Sequence, residues 1–380
     1  MSENTRRMYE LEYPSPEVTS QGQSGPTLVI ALQGYADAGH AVEAGAKHLL
    51  AALDNRPIAS FNNDELIDYR SRRPSVTIDR DHISAAEHLN LNMSVLRDSA
   101  GKAFLLLSGP EPDLRWEAFT RAVADLADKF SVEQTICLYA APMTVPHTRP
   151  MVVSAHGNDK DLVGKLFNFD SRLVVPGSAS LHIEREMHRR GRNVAGYTAH
   201  VPHYLSASPY PEATLRLLEA VADAAGLELP LLALENDARR VSHQLVEQVE
   251  ESGEIQQVVR ALEVQYDEEV ERYRKSHPQT ALPGEQDLPS GDELGEKFEE
   301  FLAHLDDQGG DKSGTAQIWD QESTTPGTSA DDAPSEGADG TGTAHPEEDP
   351  QDGTGPGAAG PETGSSSDDP QDPDSPDDDE

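Results

Sequence analysis

The sequence has little of what disulfide-bonded and membrane-spanning proteins need. Cys137 is its one cysteine, so an intrachain disulfide is impossible, and a single thiol inside an apolar run suits a reducing compartment. No apolar run approaches the ~18 residues of a membrane span. Residues 1–14 also lack the apolar core of an export signal. These absences predict a soluble, cytoplasmic protein.

Positive charge is scarce as well. The 380 residues contain 30 Lys and Arg against 69 Asp and Glu, which gives a net charge of −39. A protein that binds nucleic acid or an anionic membrane presents a basic face to the phosphates, and neither half of this chain offers one. The composition therefore excludes both as expected partners.

Large apolar side chains are almost absent from the last part of the chain. From Asp306 onward acidic residues are frequent, Lys312 is the one cation, and Ile318 and Trp319 are the only large apolar residues. Such a segment cannot bury enough surface to offset the entropy of ordering it. We predict a disordered acidic tail over residues 307–380, which acts either as a solubilising tail or as an arm that binds a basic partner.

Strand and helix patterns alternate after an N-terminal extension of residues 1–25. This order predicts an α/β domain over residues 26–229, with a mixed, mostly parallel sheet sandwiched by helices. The run Val29–Leu32 has no polar alternation, so both faces of that strand should be covered. Further strands are predicted at Ile58–Phe61, Ser75–Asp79, Asn92–Arg97, Lys102–Ser108, Glu133–Ala140 and Asn193–Ala199, and helices at Ala38–Leu53, Leu114–Phe130, Ala179–Arg190 and Glu212–Ala225.

A purely helical extension is predicted over residues 230–306. Apolar residues at three- and four-residue steps form two stripes, from Leu231 to Val249 and from Ile255 to Tyr273, which indicates an αα-hairpin. A short third helix is predicted over Leu294–Leu305. The apolar seam needs a partner surface, so we expect part of it to pack on the α/β domain and part on a neighbouring subunit. The interface of this closed homo-oligomer, a dimer or a trimer, is predicted to include Val259, Leu262 and Tyr266.

The loop after the first strand is bracketed by Gly34 and Gly39. Asp37 lies where an N-cap would accept a hydrogen bond from the first free amides of the next helix. The glycine spacing imitates a phosphate loop, but His40 and Ala41 replace the lysine that reaches the phosphates and the hydroxyl residue that ligates magnesium. We therefore interpret the loop as a structural turn and predict no nucleotide hydrolysis.

Three loops should meet at the carboxyl edge of the sheet, where open α/β sheets bind ligands. They are Gln33–Gly39, Gly109–Arg115 and Ala141–Arg149. Their arginines and carboxylates could pair with one another and lock the loops together, or they could form a pocket for an anion or a small ligand. The candidate ligand-binding residues are Gly34, Asp37, Gly39, Glu111, Arg115, His147 and Arg149.

Other chemistry is weakly supported. His200 and His203 are close enough in sequence to be candidate metal ligands. Pro202, however, excludes a helix that would place both on one face, and no nearby Cys or carboxylate completes a ligand set. Ser178 and Ser180 lie in a turn before a helix without the glycine pattern of a nucleophile elbow, and an acyl-transfer triad with His147 or His156 stays open. We predict no catalytic residues, no metal site and no cofactor.

Several ordered motifs resemble those of one family. They are Gly34–Gly39, Asp68–Pro74, Gly109–Trp116, Pro142–Pro150, Ser154–Gly157, Val175–Ser180 and Ala199–Tyr204. As a set, the chain resembles the proteasome assembly chaperone 2 family in its long actinobacterial-type form. The resemblance implies a phosphorylase-like α/β sandwich, oligomeric assembly and a role in handling other proteins, with no known catalytic activity. Assembly chaperones that dock on a proteasome ring end in a hydrophobic residue, a tyrosine and one further residue, whereas this sequence ends in Asp378-Asp379-Glu380.

Two functions follow from the sequence. The first is a non-catalytic, oligomeric, chaperone-like protein that binds other proteins, including a possible proteasome-related partner. The second is a small-molecule enzyme of the phosphorylase or hydrolase type that uses the edge near Asp37, Arg115, His147 and Arg149. A walled pocket with convergent polar groups would favour the enzyme, and polar groups paired within the chain would favour the binding protein.

Overall fold

The computed structural model describes residues 8–19, 25–169 and 172–277. Its strands are β1 (Tyr9–Leu11), β2 (Thr27–Gln33), β3 (Asp54–Phe61), β4 (Val76–Asp79), β5 (His82–Ala86), β6 (Asn92–Arg97), β7 (Ala103–Pro110), β8 (Gln134–Met143), β9 (Val153–Gly157) and β10 (Asn193–Pro202). Its helices are α1 (Ala41–Ala52), α2 (Asn63–Leu66), α3 (Trp116–Lys129), α4 (Lys160–Val163), α5 (Ala179–Arg189), α6 (Pro211–Ala225), α7 (Leu232–Glu250) and α8 (Gly253–Ser276). Short 3₁₀ turns span Ala38–His40 and His203–Leu205.

The main sheet has eight strands in the order β1-β3-β6-β7-β2-β8-β10-β9. Strands β7, β2, β8 and β10 pair in parallel at its centre, and the remaining pairs are antiparallel. Because β3 points the same way as the central four, most strands share one direction. The predicted fold class, a mixed and mostly parallel sheet between helices, is confirmed.

Strand β2 occupies the middle of the sheet and has no exposed face. Leu28 and Ile30 contribute to the core on one side, and Val29 and Ala31 to the core on the other side. Their side chains are completely buried. The unbroken apolar run is therefore explained by two covered faces, as the sequence predicts.

Two helical layers provide these covers. Helices α1, α6 and α7 pack on one face, with side chains such as Leu49, Leu218 and Leu234 in its core. Helices α3 and α5 pack on the other face through residues that include Phe119 and Ile183.

The predicted αα-hairpin is present as α7 and α8. Val259, Leu262 and Tyr266, which the sequence assigns to a subunit interface, are buried within the single chain, and their place in an interface between subunits stays a prediction. The Tyr266 hydroxyl donates a hydrogen bond to the carbonyl oxygen of Pro150 at 2.7 Å, which ties α8 to the loop after β8. The large apolar side chains that the hairpin leaves exposed are Leu232, Val246, Ile255, Val258 and Val264.

Strands β4 and β5 form a separate two-stranded hairpin. Every residue of both strands is exposed, and Ile78 lies opposite Ile83 in the pairing register. The exposed fractions of these two side chains are 70% and 67%. An isolated two-stranded hairpin is only marginally stable in water, so this arm gains little stability from its own contacts.

Some predictions concern residues that lie outside the described ranges. These are the third helix at Leu294–Leu305, the acidic tail over 307–380, and residues 1–7 and 20–24 of the N-terminal extension. The rest of that extension contributes β1 to the main sheet. Among the described residues, no helix combines the length and apolarity that crossing a membrane requires.

Candidate functional site

The loop between β2 and α1 is built around its two glycines. Gly39 adopts a φ of +67°, and a Cβ atom there would lie 2.9 Å from the Cβ of Tyr210. At Gly34 a Cβ would lie 2.9 Å from the Cβ of Glu111 and would meet its carboxylate as well. Gly34 and Gly39 therefore leave space for neighbouring side chains of the same chain, and that space is filled.

Asp37 caps helix α1 across the intervening 3₁₀ turn. Its carboxylate accepts hydrogen bonds from the amides of Val42 at 2.7 Å and Glu43 at 3.2 Å. Burial raises the pKa of this carboxyl, and the two amide bonds oppose the increase. The predicted capping role is confirmed, and it uses both oxygens of the side chain.

Glu111 is a buried carboxylate that joins β7 to α5. Its Oε1 accepts a hydrogen bond from the amide of Ala179, the first residue of α5, at 2.6 Å. The Ser178 hydroxyl caps the same helix by accepting from the amide of Leu181 at 3.2 Å. A negative charge and a cap at a helix N-terminus both stabilise the helix, so Glu111 and Ser178 have clear structural roles.

The next arginine along the chain also has a partner within the chain. Arg115 begins α3 with a positive φ of 57°, and its guanidinium pairs with the carboxylate of Glu65. Nearby, Arg72 donates to the carbonyl oxygen of Gln33 at 3.2 Å and pairs with Asp113 at 3.5 Å. These contacts tie the loop after β7 to the segment that follows α2.

The loop after β8 turns away from the other two loops and contacts α8. Arg149 donates two hydrogen bonds of 2.8 Å to the two carboxylate oxygens of Asp267, and a third bond of 3.1 Å reaches Glu263. His147 contacts the Tyr204 hydroxyl through its backbone amide at 2.9 Å and through Nδ1 at 2.7 Å. Burial lowers the pKa of the His147 imidazole.

The candidate residues thus separate into small local groups. Gly34 lies beside Glu111, as the sequence predicts, whereas His147 and Arg149 contact Tyr204 and α8 instead. Beneath α8 the loop encloses a cavity of about 10 Å³, lined in part by Arg149, His200 and Tyr266. That volume holds one water molecule at most.

Two polar pairs involve histidines that lie outside the strands predicted from the sequence. His200 lies in β10, fully buried, and its Nε2 is 2.9 Å from the hydroxyl of Ser154. Burial lowers the pKa of His200 to about 4, so the imidazole is neutral at neutral pH. His156 lies in β9 and pairs with Glu184 at 2.9 Å. The sequence does contain one signal for the His156–Glu184 pair, because Gly196 is a glycine inside the predicted strand Asn193–Ala199.

No metal-binding group of three or more His, Cys, Asp or Glu side chains occurs among residues 8–19, 25–169 and 172–277. His203, the second histidine of the tempting pair, lies in the turn after β10. Cys137 is completely buried, and burial raises the pKa of its thiol far above the usual range. A buried neutral thiol is a poor nucleophile.

Comparison with known proteins gives one family and several related structures. The sequence model of the PAC2 family matches residues 31–249, more than half of the chain. No curated protein sequence gives a significant match.

Three solved structures illustrate the similarity. A protein of unknown function from Corynebacterium glutamicum is 65% identical, with 70% of this chain and 100% of that chain covered and a TM-score of 0.69. One from Mycobacterium tuberculosis, also of unknown function, is 49% identical, with coverages of 70% and 93% and a TM-score of 0.68. A proteasome-assembly chaperone homologue from Mycobacterium tuberculosis is 27% identical, with coverages of 61% and 99% and a TM-score of 0.56.

Proposed function

This chain belongs to the PAC2 family, and on that premise we propose that it is a non-catalytic, chaperone-like protein that binds other proteins. The likeness to a proteasome-assembly chaperone homologue supports a role of this kind. The observation that carries the proposal is the internal pairing of the charged groups at the carboxyl edge of the sheet.

An enzyme site needs polar groups that converge on a cavity and are free to contact a substrate. Here the carboxylates of Asp37 and Glu111 accept from helix amides, and the guanidinium groups of Arg115 and Arg149 are paired with carboxylates. Their hydrogen-bonding capacity is used to connect loops and helices. This arrangement favours the binding protein over the small-molecule enzyme.

The β4–β5 hairpin exposes apolar side chains to which a protein partner could bind. Ile78 and Ile83 are cross-strand neighbours that expose a continuous apolar face, to which Val76 adds. Exposed apolar patches on a folded chain commonly mark an interaction surface. Within the proposal, a second copy of the chain covers this face, and the protein forms a closed homo-oligomer, a dimer or a trimer.

Light scattering tests the oligomer. We expect the parent protein to exceed the mass of one chain at micromolar concentration. The double variant Ile78→Asp/Ile83→Asp should fall to the monomer mass with little change in melting temperature, because both side chains are exposed in the single chain. Thr77→Asp, on the same strand, should keep the oligomer. A monomeric parent, or a double variant with the parent's mass, would contradict this part of the proposal.

A reconstitution with purified proteasome subunits tests the chaperone role. Separately purified α and β subunits are mixed with or without this protein, and the formation of complete particles is followed by native electrophoresis. We expect faster assembly and a complex between this protein and free subunits. Assembly at an unchanged rate, without any such complex, would remove the proteasome from the proposed set of partners.

A further inference from the structure

A carboxylate, a phenol and an imidazole form a linked cluster at one edge of the sheet. Glu184 of α5 is only 8% exposed. Its Oε1 accepts a hydrogen bond from the Tyr139 hydroxyl at 2.5 Å, and its Oε2 lies 2.9 Å from Nε2 of His156. The cluster therefore connects β8, α5 and β9 through a single buried carboxylate.

The sequence provides space for this cluster through a glycine in the neighbouring strand β10. Gly196 of β10 lies opposite His156 in the pairing register. A Cβ atom at Gly196 would lie 2.6 Å from Oε1 of Glu184 and 2.7 Å from Nε2 of His156. These separations are too short for real carbon contacts, so the pair requires glycine there.

Only one member of the cluster can exchange a proton with solvent easily. About half of the His156 side chain is accessible, with an exposed fraction of 52%. Tyr139 and the neighbouring Cys137 are buried, and burial raises the pKa of both groups well above their usual values. Near neutral pH, the charge of the cluster therefore changes through His156.

The His156–Glu184 pair also lies at an edge of the sheet, where a small change in free energy affects strand pairing. Strand β9 ends the sheet. It pairs with β10 on one side, and on the other side it forms only an isolated bridge between Ser154 and Phe167 among the described residues, with a hydrogen bond of 2.8 Å from the Ala155 amide to the carbonyl oxygen of Phe167. Local opening is easiest at such edges.

The titratable groups next to His156 itself are Tyr139 and Cys137 of β8 and Glu184 and His188 of α5. The other titratable groups on elements that pack against β9 are Tyr197 and His200 of β10, Asp159, Lys160 and Asp161 at α4, and Glu212, Arg216, Glu219 and Asp223 of α6. His200 lies 2.9 Å from the Ser154 hydroxyl of β9 and stays neutral near neutral pH, so it does not change charge in this range.

We propose that His156 and Glu184 form a proton-operated latch that holds β9 against α5 while the imidazole is protonated and loosens this edge when the proton leaves. In the protonated state a charge-assisted hydrogen bond joins strand and helix. In the deprotonated state the buried carboxylate of Glu184 still accepts a hydrogen bond from the Tyr139 hydroxyl, but it no longer pairs with a positively charged imidazole. The edge strand then opens more often, without unfolding of the rest of the sheet.

The direction of the pH effect follows from the pair. The hydrogen bond to Glu184 raises the pKa of His156 above its usual value, and burial opposes that increase. A group whose pKa is higher in the folded state stabilises that state fully below the unfolded value of about 6.5. The contribution is lost as pH rises through the folded value. The latch is thus closed in mild acid and open in mild alkali.

Hydrogen exchange of the full chain at about pH 6 and about pH 8.5 tests the latch. After correction for intrinsic rates, the amides of Val153–Gly157 should lose protection several-fold at the higher pH. In the variants His156→Gln and Gly196→Ala, the protection of these amides should be low at both pH values, as it is in the parent at the higher pH. His188→Gln should behave like the parent, because His188 bonds Asn158 and not a carboxylate. A parent with equal protection at both values, or a His156→Gln variant that keeps the pH dependence, overturns the proposal.

A histidine titration by NMR provides a readout that does not depend on exchange. In the parent, the midpoint of His156 should lie above the usual histidine pKa, and Glu184→Gln should lower it. If the midpoint of His156 in the parent is not above the usual histidine pKa, the latch does not exist. If the midpoint of His156 stays high in Glu184→Gln, a different group holds its proton and the proposal is wrong.

Discussion

Replacing Gly109 with alanine is expected to lower the free energy of unfolding by about 3 kcal/mol or more. Gly109 lies in β7, next to the central strand β2, and has a φ of +134°. A Cβ atom there would meet the carbonyl oxygen of Asn90 and would lie 2.8 Å from the Cα of Leu91. Both are backbone atoms of the segment that leads into β6, so no side-chain rotation relieves the overlap. Urea unfolding followed by circular dichroism measures the change.

Gly101→Ala is the matched control for this variant. Gly101 also has a positive φ, +83°, but a Cβ atom would have no neighbour within 4 Å. Its substitution should cost only the backbone strain, about 1 kcal/mol. The difference between the two variants isolates the steric overlap at Gly109. Equal effects at the two positions would show that Asn90 and Leu91 move aside without cost.

Replacing Leu262 with aspartate should release α8 from the rest of the chain. Leu262 is only 7% exposed, and an unpaired charge there costs about 3 kcal/mol of docking energy in addition to the lost apolar contact. The remaining contacts of α8, which include the hydrogen bonds of Tyr266 and Tyr273 and the ion pairs of Glu263 and Asp267 with Arg149, oppose this release. Limited trypsin digestion should then cut after Arg260 much faster than in the parent, while the α/β domain stays resistant.

Val264→Asp is the control on the same helix, because its parent side chain is 60% exposed. This variant should be digested at the parent's rate. The pair of variants also separates two roles for the helix. If Leu262 faces its own chain, as the structure has it, its substitution changes digestion first. A Leu262→Asp protein that keeps its resistance but loses its assembly would return the residue to a subunit interface.

The parts of the fold that were predictable are those with strong local patterns. The apolar run of β2 and the stripe of α3 define their elements without help from distant residues. Strand β9 was missed because Val153–Gly157 is short and contains Ser154, His156 and a glycine, a mixture without an apolar alternation. Its strand conformation depends on pairing with β10, almost forty residues later, and no local signal reports that pairing.

The sequence predicts where in the fold the candidate site lies, but it does not predict which side chains contact one another there. The carboxyl edge of a parallel sheet follows from topology, and the cap at Asp37 follows from its position before a helix. The partners of Arg149 could not be predicted, because Glu263 and Asp267 lie more than a hundred residues away on a solvent-facing helix rich in acids. Any of those acids would have satisfied the sequence pattern. The orientation of α8 relative to the sheet determines which two of these acids contact Arg149.

The covering of the loop after β8 by α8 has a consequence for the order of events during synthesis. A ribosome releases Arg149, Pro150 and Tyr204 well before residues 253–276 exist. Until α8 is made, the guanidinium of Arg149 and the loop residues that line the cavity are uncovered in the nascent chain. Docking of α8 therefore follows the synthesis of the domain that it covers, and the surface beneath it is hidden only in the finished protein.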